Sequence, residues 1–183
     1  MEYTVVYSNR RTLGLEIRDG RLIVRAPRKA SPADIQRLLR EKHSWIETHL
    51  ASSRLRAEAA AAVPKLTWEE LERLAQEACR TIPERVRYYA SLIGVLPHKI
   101  TVRNQRTRWG SCSARGNLNF NCLLMLVPPD VLDSVIVHEL CHLKEMNHSE
   151  RFYREIYRVF PDYDRCSAWL KEHGAALMAR MPE

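Results

Sequence analysis

Residues 131–148, VLDSVIVHELCHLKEMNH, constrain the fold more than any other stretch of the chain. Val131, Leu132, Val135, Ile136, Val137 and Leu140 make a helix here apolar almost all round, so it belongs inside the molecule. The same helix carries His138, Glu139 and His142. Residues four apart on an α-helix lie nearly above one another, so the two imidazoles can serve one ion. Glu139 is rotated about 100° from His138 but only about 60° from His142, beside the ion rather than on it. That is the mechanical content of H-E-x-x-H: two metal ligands and a general base on one helix.

Catalytic zinc takes three protein ligands and keeps one position for water, whose pKa it lowers toward about 7. His148 is the expected third ligand. On a straight helix it would lie about 9 Å beyond His142, so the helix must end between Glu145 and Asn147. Asn147 suits either a helix C-cap or the cap of the next helix. Glu145, Glu150 and Glu155 are rival ligands. Cys141 points away from the histidines and reads as a small core residue. H-E-x-x-H also arises by chance on solvated helices. Burial of the paired histidines and a third histidine past a break argue against that here.

The charge balance fits an anionic substrate. Lysine and arginine number 29 against 22 acids, a net charge of +7 over 183 residues. From Lys99 to Pro129 there is no acid, while Lys99, Arg103, Arg106, Arg108 and Arg115 all fall in that stretch. A field of one sign beside an active site favours an anionic ligand. Five cysteines without a C-x-x-C pair fit a reduced interior and offer no zinc ribbon. With no signal-peptide pattern and no apolar run near the roughly 18 residues of a membrane span, a cytoplasmic protein away from the membrane is expected. The sequence sets no oligomeric state.

Along the chain, an α+β fold is expected: a small antiparallel sheet packed on the H-E-x-x-H helix, preceded by an N-terminal β-hairpin and helices. Asp19-Gly20 signals the hairpin turn. Ser31 and Pro32 start a helix that runs past Leu50, and the alanine-rich residues after it either extend the helix or link to the next. Thr67 and Glu70 form a capping box, Pro83 should break or kink the helix that follows, and Gly94 ends it. Strands are expected at Lys99–Arg103, Arg106–Cys112 and Leu118–Leu126, with Asp130 capping the metal helix. One domain is expected, divided into residues 1–64 and a metal-binding core at 65–183. In a regular strand Arg106 and Arg108 share a face, suited to phosphate or carboxylate, with Trp109 beside them as a further substrate contact. Either Asp162 or Asp164 is expected to orient a ligand histidine through its second ring nitrogen. Tyr153 and Tyr157 are expected to pack, with oxyanion stabilisation the lesser reading.

The segments RTRWGSCS and GNLNFNCLLMLVPPDVLDSVIVHELCHLKEMNHSERFY together resemble the YgjP-like family of predicted zinc metallopeptidases, relatives of the SprT-like and WLM groups. RLIVRAP and SPADIQRLLREKHSWIETHL resemble that family's N-terminal strands and first helix. The resemblance implies a zincin-like core, one zinc ion on His138, His142 and His148, and Glu139 as catalytic base. Two features depart from related patterns. The link before Thr67 is short, and Glu145 stands where the metzincin motif has glycine. A zinc-dependent peptidase is the default reading. A zinc-dependent nucleotide phosphoanhydride hydrolase using the arginines is the alternative. A nucleic-acid-associated module is a third reading, less favoured because no recognised nucleic-acid motif appears.

Overall fold

The structure, a computed structural model, describes residues 2–18 and 20–182, without the side chains of 56, 57 and 59–61. The chain forms two compact units, Met1–Ala62 and Val63–Glu183.

The first unit holds β1 (Tyr3–Ser8), β2 (Gly14–Arg18), β3 (Arg21–Pro27), α1 (Pro32–Glu41) and α2 (His43–Ala61). The strand order is β1-β3-β2, with β1 parallel and β2 antiparallel to β3. Period-two alternation sorts β3: Leu22, Val24 and Ala26 are buried against Ile35, Leu39 and Ile46 of the helices. Arg18 pairs with Arg21 across the hairpin and Gly20 adopts φ +72°, a turn conformation glycine takes without strain. Asp19 lies outside the described residues. Ser31 and Asp34 close a capping box on α1. The single helix expected here is two, meeting at Lys42, and the alanine-rich stretch extends α2.

The second unit holds α3 (Trp68–Ile93), β4 (Lys99–Arg103), β5 (Gly110–Cys112), β6 (Asn117–Asn121), a 3-10 turn (Cys122–Leu126), α4 (Pro129–Cys141), α5 (Glu150–Val159) and α6 (Tyr163–Ala179). Helices and small sheets mix as the α+β class requires, but this sheet is not wholly antiparallel. Its order is β4-β6-β5; β5 and β6 form a hairpin, while β4 runs parallel to β6. The chain leaves β4, crosses to the far edge for β5 and returns to the middle, which makes β4 and β6 parallel neighbours.

Three local expectations are corrected. First, α3 runs unbroken through Pro83, because Ala78, Ile82, Val86 and Ala90 anchor both halves in the core despite the hydrogen bond proline cannot make. Second, the strand expected to reach Leu126 ends at Asn121, whose side chain accepts from the Leu123 amide and caps the 3-10 turn. Third, α4 begins at Pro129 with Pro128 at its cap, and Asp130 instead accepts from the Val131 amide and from Arg165.

The core of this unit packs α3 and α4 on the sheet through Ile82, Val86, Leu118, Phe120, Ile136 and Leu140. Asp133, buried on α4, takes Arg85 on both carboxylate oxygens at 2.7 Å and the Tyr89 hydroxyl at 3.0 Å. These bonds fix the metal helix to α3. No helix among the described residues is long and apolar enough to cross a membrane.

Candidate metal centre

α4 ends at Cys141, with His142 at its cap, one turn earlier than expected. The chain then turns through residues 143–149, and Ser149 caps α5 by accepting from the Phe152 amide. Neither role foreseen for Asn147 is needed. This early stop brings His148 back beside the helix. His138 Nε2 lies 3.1 Å from His142 Nε2 and 3.2 Å from His148 Nε2. Tetrahedral zinc with bonds of about 2.05 Å separates its ligand atoms by about 3.3 Å. Among the described residues, His138, His142 and His148 form the group able to hold a metal ion. None of the rival glutamates joins it; Glu155 instead pairs with Lys144 and Arg158.

The protonation pattern suits ligation. His142 Nδ1 faces the Glu145 carbonyl at 3.1 Å. A carbonyl only accepts, so the proton sits on Nδ1 and the Nε2 lone pair points into the cluster. His138 Nδ1 lies 2.7 Å from the Tyr163 hydroxyl. Burial, then the charges of His142 and His148, lowers the His138 pKa to about 4, so its imidazole is neutral at physiological pH. Burial lowers His142 as well. Beneath all three rings sits the fully buried Phe152, its centroid 5.0, 4.5 and 4.9 Å from those of His138, His142 and His148.

Glu139 is buried beside this cluster. Burial raises its pKa to about 7, against the pull of the Arg108 charge. Strand β5 passes so close that a Cβ on Gly110 would stand 2.7 Å from Glu139 Cγ and Oε1. Close approach, rather than a special backbone angle, is what requires glycine here. His138 and Glu139 open onto a cavity of about 300 Å³ whose wall includes Arg108, Trp109, Gly110 and Tyr163.

Arg108 and Trp109 thus border the cleft, but not from a strand. Only Gly110–Cys112 is strand, and residues 104–109 form a loop. The alternation expected to place Arg106 beside Arg108 therefore does not apply. Arg106 lines a neighbouring cavity and donates from Nη2 to the Pro182 carbonyl at 2.5 Å. Trp109 packs against the core and over Gly174 of α6. The loop is clamped by buried Asn121, whose Nδ2 donates to the carbonyls of Gln105 (2.6 Å) and Arg108 (2.9 Å).

Four residues of the site escaped the sequence reading in these roles: Tyr163, Asn121, Phe152 as the floor, and the Glu145 carbonyl. Of the two aspartates expected to orient a ligand histidine, Asp164 accepts from the Tyr157 hydroxyl and Asp162 lies 3.7 Å from Arg165, and it is Tyr163 that meets His138. Neither Tyr153 nor Tyr157 lines the cleft. The only signal for Tyr163 was its place at the start of α6, behind Pro161 and Asp162.

Three imidazoles at zinc-ligand spacing, with a buried carboxylate and an open cleft beside them, are the equipment of a metal-dependent hydrolase. The chain belongs to the YgjP-like family, metallopeptidase domain, which matches residues 11–70 and 54–173. UTP pyrophosphatase of Escherichia coli (strain K12) is 27% identical over 105 residues, 56% of this chain and 63% of that protein's length. Two solved metallopeptidase zymogens are each 20% identical. Pyrococcus abyssi abylysin has a TM-score of 0.47 over 56% of this chain and 100% of its own. Methanocaldococcus jannaschii jannalysin has 0.46 over 51% and 96%.

Proposed function

We propose that this protein hydrolyses a phosphoanhydride bond of a nucleoside triphosphate. The observation that carries the reading is Arg108, among the described residues the one Lys or Arg side chain bordering the cleft that holds His138 and Glu139. A guanidinium suits a phosphate oxygen in charge and in bidentate geometry. The similarity to a UTP pyrophosphatase supports the same substrate class.

His138, His142 and His148 would hold a zinc ion, which when bound polarises a phosphoryl oxygen and acidifies water. Glu139 takes the proton of the attacking water as its oxygen bonds to the α-phosphorus. The bridging P–O bond breaks, and diphosphate leaves with the electron pair, giving a nucleoside monophosphate. Arg108 offsets charge on the phosphates. Tyr163 holds the His138 ring in place, and Gly110 leaves room for the Glu139 carboxylate.

A second reading, peptide hydrolysis, draws on β5. It is one edge strand of its sheet and borders the cleft at Gly110, where an extended peptide could add as a further strand. Three residues of strand give that peptide little to pair with.

The test is diphosphate release from the four common ribonucleoside triphosphates by zinc-loaded protein, with Glu139→Gln as blank. Release should fall roughly 10²–10⁴-fold in Glu139→Gln, the span of general-base catalysis. Arg108→Ala should chiefly raise KM. No release above the blank from any of the four would sink the nucleotide reading and turn the search to peptides.

A further inference from the structure

The first unit carries most of the chain's excess charge. Within Met1–Ala62 stand twelve lysines and arginines against seven acids, an excess of five out of the chain's seven. The strand register shows where part of it goes. On β3, Leu22, Val24 and Ala26 face the helices, so Arg21, Ile23 and Arg25 face the other way. Arg18 pairs with Arg21 and shares that outer face. Gly14 pairs with Arg25, and the Arg10 guanidinium lies over it, 2.8 Å from where a Cβ would stand.

The outer face therefore holds two arginine pairs, Arg18 with Arg21 and Arg10 with Arg25. Four residues of strand separate them, about 13 Å. Among the described residues, Glu16 is the acid that the register places on this face, and it is bridged to Arg25 at 2.8 Å. Glu2 lies at the corner beside Arg21. Between the pairs lie Thr4 and Ile23, with Val6 beside Arg25, and the described residues of the face include no aromatic ring.

We propose that this sheet face binds the sugar-phosphate backbone of duplex nucleic acid without reading its sequence. All four cations are arginines, whose forked donors match phosphate oxygens. A duplex carries one charge per about 1.7 Å, so 13 Å presents about eight phosphates to a face on which Arg10 and Arg21 are exposed. A single strand would need rings on which to stack its bases, and the described residues of the face offer none. A bilayer surface would need long or aromatic side chains to insert, whereas Val6 and Ile23 are short, branched and half-buried. This surface makes no use of the histidine cluster, and its test does not depend on the substrate of that site.

The test is fluorescence anisotropy of a labelled 20-base-pair DNA duplex titrated with the full chain between 50 and 200 mM salt. Binding should weaken with salt at a log–log slope of about −3, from three to four phosphate contacts. The exposed double variant R10A/R21A should lose about two units of that slope and keep the wild-type far-ultraviolet circular dichroism. Absence of duplex binding at 50 mM salt overturns the proposal. So does an unchanged slope in the double variant, or tighter binding to the single strand or to vesicles of phosphatidylserine and phosphatidylcholine.

Discussion

Phe152 touches all three imidazoles, so its removal acts on packing and on the cluster together. Phe152→Ala should destabilise the protein by about 3–5 kcal/mol, the range for deleting a buried aromatic, read as a lower urea midpoint. Phe152→Leu keeps most of the volume and separates the two effects: near-normal stability with weakened metal retention is expected. Tyr163 acts more narrowly. Partners that orient a ligand histidine typically contribute 10–100-fold in metal affinity, so Tyr163→Phe should weaken zinc binding about that much in competition with a chromophoric chelator. An affinity unchanged in Tyr163→Phe would mean that the hydroxyl does not orient His138. Gly110→Ala should lower turnover while folding normally, because the new methyl must push the Glu139 carboxylate aside.

At the scale of elements, the link between α4 and α5 is braced by Glu155, which accepts from Lys144 at 2.9 Å and Arg158 at 3.0 Å. Those bonds hold the Glu155 carboxyl below the ordinary 4.5. A group lowered in the folded state adds stability above its unfolded pKa and loses it as pH falls through the folded value. Urea midpoints of the metal-free protein should therefore fall below pH 4.5, and less so in Glu155→Gln. What local chemistry governs was legible in the sequence: the helix start at Ser31, the capping box at Thr67, the β2–β3 hairpin and the apolar helix that carries the histidines. What long-range contacts decide was not. Strand order depends on which chains meet, and the parallel β4–β6 pair leaves no local mark. The loop at 104–109 read as strand because its clamp, Asn121, sits 13 residues beyond Arg108. Tyr163 reaches His138 across 25 positions with no motif to link them. The three histidines were legible because spacing on one helix, plus one break, is a local matter.

For the whole molecule, a bound metal acts on stability by mass action. Free zinc at 100 times its dissociation constant should stabilise the unit that holds it by about 2.7 kcal/mol. A thermal melt with and without chelator, at matched ionic strength, reads this as a shift reversed by added zinc. An unmoved transition would mean that the cluster does not bind zinc in the folded state. The position of the third histidine has a kinetic consequence too. His138 and His142 are half-buried on and at the end of a core helix, whereas His148 is exposed in the short link to α5. One arm of the cage can therefore swing away while the helices stay packed, since local openings cost far less than global unfolding. A zinc ion held by the three histidines should then have a residence time set by that link of a few residues. Its escape rate into excess chelator should stay flat across urea concentrations below the unfolding transition.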